Sequence, residues 1–343
     1  MHNRIESFDL IRSFAILTVF FDHAIMKDPR IDNTVAHLAI TTLSPGLTMS
    51  LLGFISAALL SPTMLNYGPF LIKRFTRIYI PLALCLSVVL SLYAYIGKQH
   101  LLCQHTLLHY LGLTAFIEIL AVDNKSPIGA GLWFITIIMT LYLLLPLLAM
   151  LFRHRNGLMH LILIIIVSTV INNYAYGTQS AFNVIISFSV GSYVSIHGLL
   201  DVMYQRRILL TYLFCASLLT IVALSTSEVI PYAIRGLMFS LYPLAFVPLF
   251  SHLSEKIPRY VIKASGFFAG LSYEFYILHF YFINNRFRDF FHKPMSVFGQ
   301  ITISFSLTLV LAYIISYIAK RLRESANTYL IPSTSAADIH ASG

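Results

Sequence analysis

Arg12 and His23 lie eleven residues apart within Arg4-Ile-Glu-Ser-Phe-Asp9-Leu-Ile-Arg12 and the apolar run that follows. Eleven residues of α-helix turn through about 1100°, within about 20° of three full turns, so both side chains share one face, roughly 16 Å apart along the axis. A cation at one end of that face suits an anionic substrate. An imidazole further along suits general-base work, because its pKa lies near ambient pH. The plainer alternative is an Asp9–Arg12 pair at a membrane interface, with His23 a helix-end histidine.

Three other places hold chemistry-bearing residues. Arg74 and Arg77, one turn apart in Lys73-Arg74-Phe75-Thr76-Arg77-Ile78-Tyr79-Ile80-Pro81, can clamp phosphates or simply anchor a helix at a charged surface. Trp133, the only tryptophan, opens an apolar run through Tyr142-Leu143-Leu144-Leu145-Pro146 and alone reads as an interfacial aromatic. Ser272-Tyr273-Glu274-Phe275-Tyr276-Ile277-Leu278-His279 places a carboxylate and an imidazole in a span, roughly 7–8 Å apart along the axis. Glu274 there needs a partner, Arg235 or Arg12, and a structural polar pair between helices is the alternative to catalysis. His105 and His109 have the i, i+4 spacing of a metal pair, with His100 nearby, but no carboxylate or cysteine completes a set and no metal is expected. Cys85, Cys103 and Cys215 lack redox or metal spacing. There is no Gly-rich phosphate loop and no Gly-x-Ser-x-Gly elbow.

The elements that position these residues are apolar. The 343 residues are 57% hydrophobic and 11% charged, with a mean hydropathy of +0.77. A soluble domain carries roughly a quarter charged residues, so most of this surface must face lipid. The net charge of +9 sits in short clusters between apolar runs, which is a topology signal and argues against a nucleic-acid partner. The pattern predicts an all-α integral membrane protein with about ten transmembrane helices, at 9–27, 37–60, 78–97, 130–152, 158–173, 180–198, 208–227, 231–252, 264–284 and 298–319. The polar cluster 172–180 divides two of them, and 100–122, with His100, His105, His109 and Glu118, reads as interfacial or re-entrant. With both chain ends inside, the inner segments hold 14 Lys and Arg against 7 outside, which predicts an N-in, C-in topology. No cleavable leader stands out. Residues 1–324 read as one transmembrane domain and 325–343 as a disordered cytoplasmic tail.

Taken together, the four elements resemble membrane-bound acyltransferase family 3. Its Arg-x10-His pattern is matched at Arg12 and His23, with Asp9 and Ala15 also fitting. Its Arg-x-x-Arg-Ile-x-x-Pro is matched at Arg74, Arg77, Ile78 and Pro81, and its Trp-x8-Tyr-Leu-x-x-Pro at Trp133, Tyr142, Leu143 and Pro146. Its Ser-Tyr-x-x-Tyr-x-x-His is matched at Ser272, Tyr273, Tyr276 and His279, in the right order over residues 4 to about 320. The chain departs from the pattern at two places. A Phe-Phe-x-x-Ser-Gly-Phe stretch survives only as Gly53-Phe54. Ile138 and Met139 stand where many members have glutamates, which places the chain in the branch without that carboxylate and leaves any base to His23 or Glu274.

The resemblance implies an integral membrane O-acyltransferase. It would move an acyl group, usually acetyl, from cytosolic acyl-CoA, a co-substrate rather than a bound cofactor, to a hydroxyl of a surface or lipid-linked glycan. The location it implies is the cell membrane, the inner membrane if bacterial. It casts Arg74 and Arg77 as donor-binding and Arg12, His23, Glu274 and His279 as catalytic candidates. A transporter or flippase of lipid-linked or extruded glycan is the rival, with Arg12, Arg235 and Glu274 as pathway residues; against it, no internal repeat is visible.

Overall fold

The computed structural model describes residues 2–26, 45–60, 67–98, 101–119, 124–129, 131–174, 179–206, 208–213, 237–238, 240–283 and 296–330. The described residues form helices joined by short turns: α1 (His2–Met26), α2 (Pro45–Ala58), α3 (Tyr67–Tyr95), α4 (Gln104–Tyr110), α5 (Thr114–Ile119) and α6 (Trp133–Arg153). They continue with α7 (Gly157–Tyr174), α8 (Gln179–Ile196), α9 (Leu200–Gln205), α10 (Pro243–Ser254), α11 (Arg259–Ile283) and α12 (Val297–Leu330).

The expectation of about ten spans does not hold. Among the described residues only three helices are long and apolar enough to cross a membrane: α3, α6 and α12. Length and polarity account for the rest. Leu47–Ala58, Gly157–Asn172, Ala181–Ile196 and Pro243–Ser254 are apolar but only 10–17 residues long. At about 1.5 Å per residue these fall short of a hydrocarbon core roughly 30 Å thick. The α1 helix carries Glu6, Asp9, Arg12 and Asp22, while α11 mixes Arg259, Lys263, Glu274, His279 and several tyrosines into its apolar run. The expected span 208–227 lies outside the described residues beyond Leu213, as do 37–44 and 231–236. The helix α12 runs to Leu330, into the segment expected as a tail; 331–343 lie outside the described residues.

The membrane character itself is plain on the surface. Leu158, Ile162, Leu163, Ile166 and Val170 of α7 and Val310, Ile314 and Ile318 of α12 are exposed along one side of each helix. Side chains of this kind facing outward in rows have lipid as their solvent.

The segment 100–122 breaks into α4 and α5 at Gly112, whose φ of +68° is the left-handed conformation glycine adopts without strain. That turn packs against α3 and α6. The Tyr79 hydroxyl donates to the Leu111 carbonyl at 2.9 Å, and Thr136 Oγ1 donates to the Gly112 carbonyl at 2.6 Å.

The closest helix pair is α2 with α8, and small residues allow it. A Cβ on Gly191 would lie 2.5 Å from the Phe54 carbonyl oxygen, and one on Gly53 2.8 Å from Ser187 Oγ. Glycine costs a helix interior about 1 kcal/mol relative to alanine, so its presence at both points reflects close backbone approach. Gly191→Ala is expected to destabilise by about 1–3 kcal/mol through overpacking. Gly270→Ala, where a Cβ meets nothing within 4 Å, is expected to be neutral or stabilising by up to about 1 kcal/mol. Thermal unfolding of the detergent-purified variants reads both, and equal effects would contradict this packing.

Candidate functional site

Polar contacts set how α1 meets α11. Arg259 donates to Glu6 Oε1 at 2.9 Å, and Ser13 Oγ donates to the Ser265 carbonyl at 2.8 Å. Further along, the Phe20 and Phe275 rings are 5.6 Å apart and His23 Nδ1 is 2.9 Å from His279 Nε2. The contacts advance together along both chains, so the helices run parallel. We call the shared end, which holds Arg259 and Arg12 with Arg74 and Arg77 nearby, the basic end.

At the far end of this seam the two imidazoles form a defined pair. Their planes are 4° apart and their centroids 5.1 Å apart. That separation is the 2.9 Å N···N distance plus about one ring radius on each side. The rings therefore lie edge to edge in a common plane, the arrangement a hydrogen bond prefers. His279 Nδ1 is 2.6 Å from the Tyr276 carbonyl and 3.3 Å from that of Phe275. A carbonyl only accepts, so His279 carries its proton on Nδ1 and accepts on Nε2. His23 is then the donor through Nδ1, which puts its lone pair on Nε2.

Tyr276 acts at both of its ends. Its carbonyl holds His279, and its hydroxyl donates to the Gly131 carbonyl at 3.1 Å, two residues before Trp133. Phe134 packs edge-on against the Tyr276 ring at 5.8 Å. Phe280 stands 5.6 Å from His23, and a Cβ on Gly131 would lie 3.1 Å from its ring, a tight contact that glycine avoids. Trp133 is partly buried against the core beside this group. Sequence reasoning assigned no role to Gly131 or Phe280.

The basic end gathers guanidinium groups. Arg12 Nη1 pairs with Asp9 Oδ1 at 3.1 Å, and Arg12 also feels the charges of Arg74 and Arg77 and the Tyr142 phenol. The Arg74 guanidinium lies 5.3 Å from both the Phe70 and Tyr142 ring centroids, a cation held between two aromatic faces. The proline of each motif explains part of this order. Pro146 has no N–H, so the Tyr142 carbonyl lacks its usual donor four residues on. The Tyr67 hydroxyl supplies it, 3.2 Å from the Tyr142 carbonyl and 2.7 Å from that of Leu143. Pro81 likewise withholds a donor from the Arg77 carbonyl, and the Tyr273 hydroxyl donates to its neighbour, the Ile78 carbonyl, at 3.0 Å. Ser272 Oγ bonds the Ala269 carbonyl of its own helix at 2.8 Å.

Glu274 does not join the imidazoles. Five residues separate it from His279, about 500° of helix, so the two point roughly 140° apart. Glu274 is 6% exposed, on the side of α11 that has Arg77, Arg323 and Cys85 within its field. Arg12, expected as a partner, is paired with Asp9 instead, and Arg235 lies outside the described residues.

His109, the other candidate set, is buried with both nitrogens engaged. Thr114 Oγ1 is 2.9 Å from Nδ1, and Asn124 donates to Nε2 at 3.3 Å. Among the described residues no cluster of metal-ligating side chains forms. Burial first, and the like charge of His105 second, hold His109 down at about 4 against its ordinary 6.5. A depressed pKa means that the unfolded chain binds the proton more readily between those values. Stability should therefore fall as pH drops from about 6.5 to about 4. Thermal unfolding across that window should show the loss in the parent and a flatter profile in His109→Gln; identical profiles would contradict it.

Helices of spanning length and outward apolar faces make this a multi-pass membrane protein. The chain matches, over residues 5–317, the family model described as an acyltransferase domain, and it belongs to that family. It is therefore a membrane acyltransferase. No curated protein and no solved structure matches it.

Proposed function

We propose that the protein transfers an acyl group, acetyl being the simplest, from cytosolic acyl-CoA to a hydroxyl of a surface or lipid-linked glycan. The observation that carries this reading is the single seam leading from the Arg12, Arg74 and Arg77 cations to the His23–His279 pair. Among the described residues only Arg12 of the three guanidiniums has an ion pair, with Asp9, so the basic end holds an excess of positive charge suited to phosphates.

The acceptor hydroxyl gives its proton to His23 Nε2 while its oxygen attacks the thioester carbonyl. The C–S bond then breaks, and the proton passes to the departing thiolate, giving the O-acyl ester and free CoA. As His23 becomes positive, its Nδ1–H bond to His279 strengthens, and the Tyr276 carbonyl holds His279 in the accepting tautomer. His279 is thus a positioning residue. Arg12 orients the donor and Arg74 and Arg77 hold its phosphates, while Ile138 and Met139, both buried, leave no carboxylate at those positions after Trp133, in keeping with the branch that lacks one.

His23→Ala should lower transfer by about 10²–10⁴-fold, the usual worth of a general base. Insertion should survive, since the change makes α1 more apolar. Labelled acetyl-CoA with purified protein and glycan reads the rate; a correctly inserted His23→Ala protein working at the parental rate refutes the mechanism. Arg74→Ala and Arg77→Ala should raise the donor KM more than they lower kcat, and a loss confined to kcat would leave them as topology anchors.

A further inference from the structure

We propose that Phe280 is a specificity-determining residue that closes the acyl pocket beside His23 and confines the donor to short acyl groups such as acetyl. This rests on the acyl-CoA reading above and deepens it, by naming the class of group transferred. None of the recognised motifs contains Phe280.

The ring stands at the reacting centre. Its centroid is 5.6 Å from that of His23, and the two planes are 78° apart. His23 and Phe280 both keep part of their surface, whereas Phe20, Phe275 and His279 beside them are buried. One edge of the His23 ring is taken by His279, 2.9 Å away at Nδ1. A reacting group bonded to Nε2, about one ring radius from the His23 centroid, therefore has Phe280 as a neighbour.

That ring has a fixed backing. A Cβ on Gly131 would lie 3.1, 3.2 and 3.3 Å from three of its atoms, so the ring already rests on the main chain at residue 131. The main chain there is held in turn. The Tyr276 hydroxyl donates to the Gly131 carbonyl at 3.1 Å, and Phe134 packs against the Tyr276 ring at 5.8 Å. Tyr276 and Phe280 stand one turn apart on α11, so one face of that helix supplies the wall and pins the surface behind it.

Two reactants meet at His23, and the chemistry of the wall distinguishes them. A methyl group gains from apolar contact, while a sugar hydroxyl placed against a phenyl ring loses a hydrogen bond. The acyl group is also the tip of a donor whose phosphates are held at the basic end. Phe280 lies one residue beyond His279 in the direction that tip advances. An acetyl group ends at the ring. Each further methylene has to push against a side chain already backed by main chain, which is overpacking.

The test is direct binding of CoA, acetyl-CoA and butyryl-CoA to the full-length protein in lipid nanodiscs, with empty nanodiscs as the blank. The parent should bind butyryl-CoA at least about tenfold more weakly than acetyl-CoA, the scale on which a pocket discriminates by methylenes. Phe280→Ala removes a phenyl ring, more carbon than butyryl adds to acetyl. It should bring the two affinities within about threefold of each other and leave CoA itself as in the parent. A parent that binds butyryl-CoA as tightly as acetyl-CoA overturns the inference and leaves the donor reading standing. So does a Phe280→Ala protein that keeps the parental ratio or weakens all three ligands alike, which is what a purely structural ring would give. If the parent binds none of the three, the donor reading fails and takes the inference with it. If Phe280→Ala is lost from the membrane, Phe280→Leu carries the test. Its smaller side chain should shift the ratio in the same direction, and an unchanged ratio overturns the proposal.

Discussion

A polar group inside a lipid-facing helical bundle has no water to turn to, so each one must be met by another part of the chain. That constraint shapes the site more than any single apolar contact does. The partly buried His23 imidazole meets the buried His279 imidazole at 2.9 Å, and the second is held in turn by the Tyr276 carbonyl at 2.6 Å. The chain of donors runs in one direction because a carbonyl stands at its end. A histidine pair with a fixed tautomer is therefore a consequence of these contacts, and needs no water to be oriented.

The same constraint explains the tyrosines and prolines. Proline inside α3 and α6 leaves backbone carbonyls short of a donor near the basic end. Tyr67 and Tyr273 reach across from elsewhere in the fold to carbonyls at these points. Each hydroxyl ties a helix carrying an arginine or its aromatic platform to a neighbour. Tyr142, held through its own carbonyl, is then placed to receive Arg74 on its face. The basic end is thus pre-organised by side-chain-to-backbone bonds. Close backbone packing of α2 on α8, at Gly53 and Gly191, adds a rigid flank through Tyr142 and Phe188, whose ring centroids are 6.0 Å apart.

Sequence periodicity misread some elements for identifiable reasons. The apolar run of α11 looked like a spanning segment, yet its Arg259 and His279 meet α1 and its Tyr273 meets α3. The α1 helix is similar, its charged residues serving α11 and the basic end rather than a lipid interface. Apolar composition reports that a helix is shielded from water; it does not distinguish shielding by lipid from shielding by other helices. Glu274 and His279 were grouped because they are near in sequence, but helical phase sends them to different neighbours.

The sequence by itself determined that the chain is a helical membrane protein and that Arg12 and His23 share a face, because composition and the 3.6-residue period are local properties. Only the tertiary structure decided that α1 and α11 run parallel in the register that joins His23 to His279. It alone brought the end of α12 to Thr76, through Asn327. Those outcomes depend on which helices become neighbours and in what register, and pairings over 250 residues apart leave no trace in a local pattern.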